Sequence, residues 1–204
     1  DKAKSELSAF ALDTQKKLNL ACSFTVGETI LTAILQQIKK EFPHLLVNIE
    51  LLPINQIIEL IKSGVIDAGF SEQAAFGDEE IQSDPFHADE FVFACAPNFF
   101  PKTKASITIS ELNKIPLILP SHKSRIRSLI DKYLVIAKKN GIQYEQIFQS
   151  DQIALIKAAV VANLGCTILP KSSIQMELEL NKLVAFSLID FPHKIYYHLL
   201  YHKS

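Results

Sequence analysis

Ser23-Phe24-Thr25-Val26-Gly27 sets two hydroxyls and a glycine where an apolar strand gives way to a helix. The first amides of a helix have no partner within it, so Ser23, Thr25 and the N–H groups of Val26 and Gly27 suit a small polar or anionic ligand. The same hydroxyls cap helices that bind nothing, and the two roles share one geometry. A second set lies in the other half of the chain: Ser121-His122 in the loop after one strand, and Ser150-Asp151 ahead of a later helix. His122 stands beside Lys123 and Arg125, charges that favour an anionic ligand, while Arg125 and Arg127 read as a solvated helix face.

The residue types for other chemistries are not arranged to perform them. Asp67 and Glu72 have no spacing that makes a general acid and base, and no nucleotide loop, zinc motif or nucleophile elbow is present. His198 and His202 share a face and His193 is near, but no carboxylate or thiol accompanies them, so neither metal nor cofactor is expected. Cys22, Cys95 and Cys166 fall some 70 residues apart in apolar stretches and read as buried hydrophobes rather than a disulfide framework. Lys plus Arg number 21 against 22 Asp plus Glu, for a net charge of -1, which excludes the uniformly basic face of a phosphate-gripping domain. No apolar run reaches the roughly 18 residues of a membrane span, and residues 1–17 lack the layout of a secretion signal. A cytoplasmic protein that does not engage a membrane is the expectation.

The elements that position these residues follow from periodicity. Leu18, Leu20, Cys22 and Phe24 alternate as a strand, and Ile30, Leu31, Ile34, Leu35 and Ile38 recur at helical spacing within a helix expected from Gly27 to Phe42 and stopped by Pro43. Val47, Ile49 and Leu51 make a second strand. Asn55 is a good N-cap for a helix from Gln56 to Ser63 with Gly64 as its stop, and Val65-Ile66-Asp67-Ala68-Gly69-Phe70 follows at once as a third strand. Such βαβαβ units form parallel sheets that bind ligands at the carboxyl ends of their strands, here Ser23–Thr25 and Phe70–Glu72. Residues 73–89 read as a looser stretch before the apolar strand 90–96. The second half repeats the pattern: strand Pro116–Leu119, helix Lys123–Lys139, strand 144–148, helix Gln152–Ala162, then the turn-strand Leu164-Gly165-Cys166-Thr167-Ile168-Leu169-Pro170. Strands at 182–189 and 195–201 complete it. With 204 residues, two α/β lobes are expected, joined by two crossings that make a hinge. The predicted division is lobe I at 18–96 and 188–204 and lobe II at 97–187, preceded by a helical segment 1–17.

The order Ser-x-Thr-x-Gly turn, helix ending Phe42-Pro43, Gly64-x-x-Asp67-Ala68-Gly69, and later Ser150-Asp151 leading through a helix to Leu164-Gly165-Cys166-Thr167-Ile168-Leu169-Pro170 resembles the effector-binding domain of LysR-type transcriptional regulators. The resemblance implies two Rossmann-like lobes of the type 2 periplasmic-binding-protein kind, closing on a small-molecule effector in the cleft between them, and no catalysis. It also implies that residues 1–17 are the end of a linker helix, that DNA is contacted only through a separate N-terminal domain, and that the protein is a homodimer pairing the helix around Ile30–Phe42, with a tetramer at full length. By motif position, the effector-binding candidates are Ser23, Thr25, Val26, Gly27, Phe70, Ser121, His122, Ser150, Thr167 and Ile168. One departure concerns the family's usual Gly-Leu-Gly, which is Asn163-Leu164-Gly165 here and places at the first glycine a residue that tolerates left-handed dihedrals. Two other readings share the fold: a solute-binding protein of transport, and an enzyme such as a prephenate dehydratase-like lyase or a porphyrin-forming deaminase.

Overall fold

The computed structural model describes residues 17–75, 77–100, 105–189, 191 and 194–203, so the expected helical segment 1–17 lies, but for Lys17, outside the described residues. The chain forms two compact units, one up to His87 and from Tyr196 onward, the other Ala88–Ile195. It passes between them inside two continuous strands, β4 (Ile81–Cys95) and β10 (Lys194–His202). The sequence reading set its boundaries at 96/97 and 187/188 instead, because Pro97 ends an apolar run. The contact pattern divides within β4, whose early half carries Pro85 and a mostly polar composition that hides strand character. The stretch expected to be loose at 73–89 is therefore strand from Ile81 onward.

The first unit holds β1 (Lys17–Cys22), α1 (Phe24–Thr29), α2 (Leu31–Glu41), β2 (Leu46–Leu51), α3 (Ile54–Lys62) and β3 (Ala68–Ser71). Its strands run in the order β2-β1-β3-β10; β1 is parallel to both neighbours, and β10 is antiparallel to β3 with His198 opposite Ser71. The long helix expected over 27–42 is two helices that break at Ile30, where φ is −112°. The Thr29 hydroxyl bonds back to the Thr25 carbonyl at 2.7 Å, a contact that bends helices. Pro53, with φ of −60°, takes the N-cap place expected for Asn55, so α3 starts two residues earlier.

Period-two alternation sorts the sheet's two faces. Ala21 and Leu200 pack with Ile57 and Ile61 of α3, together with Ile66, Ala75 and Ile81. Gly69 completes this face by necessity, since a Cβ there would meet the Ile57 Cγ2 at 2.3 Å. On the opposite face Leu18, Leu20, Phe70 and Leu199 line an apolar groove of about 500 Å³ with Ile30, Ile34 and Ile38 of α1–α2.

The second unit holds β5 (Ser106–Ile107), β6 (Pro116–Pro120), α4 (Arg125–Lys139), β7 (Glu145–Ser150), α5 (Ile153–Val161), β8 (Thr167–Pro170), α6 (Gln175–Glu179) and β9 (Val184–Leu188), with the adjoining parts of β4 and β10. β4 pairs antiparallel with β8 and β9, β9 pairs parallel with β5, and β6 and β7 form a parallel pair linked through Leu117 opposite Cys166. The expected strand-helix-strand-helix-strand succession is present as β6-α4-β7-α5-β8. Asn163 ends α5 at φ +60°, the left-handed conformation its sequence position required.

Candidate functional site

In the first unit, Ser23 is the N-cap of α1 in extended conformation, and its Oγ accepts from the Val26 amide at 3.2 Å. Ser23 also donates its amide to the Phe70 carbonyl at 2.9 Å, which ties the end of β1 to the end of β3. Its hydroxyl donates to the Glu72 carboxylate. Ser23, Thr25 and Val26 are buried and Gly27 half-buried, because Cys22 and Val26 sit fully within the unit's core. Burial, with Glu72 adding its negative charge, pushes the Cys22 thiol up to about 11. The Ser23 hydroxyl and the Ser23, Val26 and Gly27 amides are thus engaged within the turn, next to a carboxylate.

Phe70 joins this turn by its backbone alone. Its ring points to the apolar groove and meets Phe86 edge-on at 5.7 Å, since alternate residues of a strand face opposite ways.

The second unit builds a comparable turn where β6 and β7 end. Ser121 donates its amide to the Ser150 carbonyl at 2.9 Å and its hydroxyl to the Asp151 carboxylate, while the Ser150 Oγ accepts from the Gln152 amide at 3.0 Å ahead of α5. Both units thus end a parallel strand in a serine whose hydroxyl is held by a carboxylate from the neighbouring strand's end.

Arg127 overturns its reading as part of a solvated face: it is 3 % exposed, whereas Arg125 is exposed. Its Nη1 donates to the Pro120 carbonyl at 2.8 Å and to Gln149 at 3.3 Å, and its Nη2 donates to Gln146 at 3.1 Å and meets the His122 Nε2 at 3.4 Å. His122, exposed at its own position, also sits 3.5 Å from Asp131 through Nδ1. The signal for this cluster was Asp131, four residues after Arg127 and on the same side of the helix.

Thr167 and Ile168 are fully buried in β8, opposite Ala94 and Phe93. The Thr167 hydroxyl has no hydrogen-bond partner among the described residues. Among those residues no group of three or more His, Cys, Asp or Glu side chains is placed to hold a metal ion, and no helix is long and apolar enough to cross a membrane.

Comparison with known proteins gives this geometry a context. The family described as the LysR substrate binding domain matches residues 13–204. The HTH-type transcriptional regulator CysL of Bacillus subtilis is 28% identical over 179 residues, covering 87% of this chain and 58% of that protein. The HTH-type regulator YeiE of Escherichia coli is 26% identical over 162 residues, 79% of this chain and 54% of its own. The chain thus spans little more than half the length of these relatives. Among solved structures, the reduced regulatory domain of OxyR from Pseudomonas aeruginosa has a TM-score of 0.75 at 17% identity, covering 93% of this chain and 88% of that one. The effector binding domain of QuiR in complex with shikimate has a TM-score of 0.68 at 19% identity, covering 93% and 88%. The Synechocystis CcmR regulatory domain in complex with 2-PG has 0.70 at 17% identity, covering 93% and 89%. At these identities the structural likeness speaks for the fold.

Proposed function

This chain belongs to the LysR substrate binding domain family and is an effector-binding regulatory domain with the type 2 periplasmic-binding-protein-like fold; we propose that its effector is a small polar or anionic molecule, and that the serine turn of each unit is a place where such a molecule is recognised. The observation that carries this reading is the repeated arrangement in which Ser23 and Ser121, each ending a parallel strand, hold a hydroxyl against a carboxylate, that of Glu72 and that of Asp151. A ligand oxygen at either turn competes with the carboxylate for the serine hydroxyl, and a hydroxyl or ammonium group on the ligand finds an acceptor in that turn's carboxylate. Thr25, Val26 and Gly27 support the first turn, where the Phe70 carbonyl holds the Ser23 amide; His122 and Ser150 support the second, while Thr167 and Ile168, buried in β8, are candidates by motif position alone.

The parent protein on this reading is a cytoplasmic, DNA-binding transcriptional regulator without enzymatic activity. It works as a homodimer through the Ile30–Phe42 region and as a tetramer when complete, and its DNA contacts lie in a separate domain. The regulators CysL and YeiE support this, since each is similar to the present chain over a part of its length.

Thermal-shift screening of hydroxylated carboxylates, amino acids, sulfate and phosphate tests the proposal. A concentration-dependent rise in melting temperature that Ser23→Ala or Ser121→Ala lowers supports it. No response across the panel, or a response that neither substitution changes, overturns it. Sedimentation of the wild-type chain at micromolar concentration reads the oligomeric state directly.

A further inference from the structure

Cys95 and Cys166, far apart in sequence, face each other in the second unit. The β4–β8 ladder runs from Phe91 opposite Pro170 to Ala94 opposite Thr167, and Cys95 and Cys166 are the residues next to that last pair, one on each segment and on the same face as Phe93 and Ile168. Opposed residues of antiparallel strands have Cα atoms about 4.5–5.5 Å apart, which puts residues one step beyond the last pair near the roughly 4.4–6.8 Å that a disulfide spans. We propose that Cys95 and Cys166 form a cross-strand disulfide under oxidation, a modification site that staples β4 to β8.

The surroundings bear on reactivity as well as reach. The two thiols share a hydrogen bond. The Cys166 thiol holds Cys95 below its ordinary value, while the same bond and burial push Cys166 up. Cys95 is therefore the thiol that ionises first and attacks. Both sulfurs are buried, but Cys166 follows Gly165 and the exposed turn Ala162-Asn163-Leu164, so fraying of that turn is the route by which an oxidant enters. With a peroxide as oxidant, the Cys95 thiolate attacks one oxygen, the O–O bond breaks, and the released hydroxide takes a proton to leave as water. The Cys166 sulfur then attacks the Cys95 sulfenic sulfur, the S–O bond breaks, and a second water departs with the thiol proton. Two thiols supply the two electrons that the peroxide accepts. Cys22 has no role in this step; it lies buried in the other unit.

The test treats the folded chain with hydrogen peroxide, blocks the remaining thiols under denaturing conditions, and maps peptides by mass spectrometry. The expected result is a fall from three free thiols to one, a Cys95–Cys166 peptide lighter by two hydrogens, an unchanged circular dichroism spectrum and full reversal by a thiol reductant. Three surviving thiols, under conditions that oxidise the urea-unfolded chain, overturn the proposal, as does a bond to Cys22 or between two chains. Cys95→Ser is expected to abolish the cross-link. Should that variant not fold, the wild-type peptide map decides the matter unaided.

Discussion

Arg127 and Asp131, one helical turn apart on α4, are joined by a 2.7 Å Nε–Oδ1 contact in which the arginine is 3 % exposed and the aspartate side chain 37%. The guanidinium is thereby removed from water while its carboxylate partner stays partly wet, and the Pro120 carbonyl, Gln149 and Gln146 take up its remaining donors. A cation this deep persists because its N–H groups have acceptors.

Removing that cation leaves the acceptors at the end of β6 and along β7 without a donor. Arg127→Met is expected to destabilise the chain by about 2–3 kcal/mol, the range for hydrogen bonds to a charged group. Arg125→Met, on an exposed position, is expected to stay within about 0.5 kcal/mol of wild type. Urea unfolding midpoints of the two variants separate the cases.

Gly69 is confined by Ile57 rather than by its dihedrals. Gly69→Ala pushes a methyl against the α3 side chain and is expected to cost about 1–3 kcal/mol, the usual penalty of overpacking. A paired Gly69→Ala/Ile57→Ala variant is expected to lose less than the sum of the two single changes, a coupling that a double-mutant cycle measures.

Asn163 holds a left-handed residue at the end of α5. Asn163→Ala is expected to cost about 1 kcal/mol, whereas Asn163→Gly is neutral or stabilising, because alanine keeps the Cβ that crowds the following carbonyl in that conformation but lacks the short polar side chain that lets asparagine tolerate it, and glycine has no Cβ. Thermal melting of both variants checks the sign.

His198 gives the chain a pH dependence. Burial lowers its pKa from the ordinary value, opposed by a hydrogen bond to the Ser71 backbone, so the unfolded state binds a proton that the folded state refuses. Stability from this group is complete above the unfolded value of about 6.5 and is lost as pH falls through the lower, folded value. Urea midpoints at decreasing pH are expected to drop more for wild type than for His198→Gln.

Ser23 caps α1 and holds Glu72 at the same time. Ser23→Ala is expected to cost about 1 kcal/mol of stability through the lost cap. Ser23→Asp, which also caps helices, is expected to restore that cap while bringing a second carboxylate against Glu72 and weakening an anionic ligand. Stability and ligand response measured on the same variants tell capping from recognition.

The sequence by itself determined the βαβ succession of both units, the break after Gly64 at φ +70°, and the left-handed place of Asn163. Each is written in residues near one another along the chain, where periodicity, capping and steric limits act within a few positions. Tertiary structure decided what depends on distant segments meeting. It joined Ser23 to Glu72 and Ser121 to Asp151, buried Arg127 against β6 and β7, drew a polar stretch into β4, and brought Cys95 and Cys166 to the same end of the β4–β8 ladder. Strand register and helix docking select those partners, because burial of whole faces outweighs the preference of any one side chain, and no local pattern carries that information.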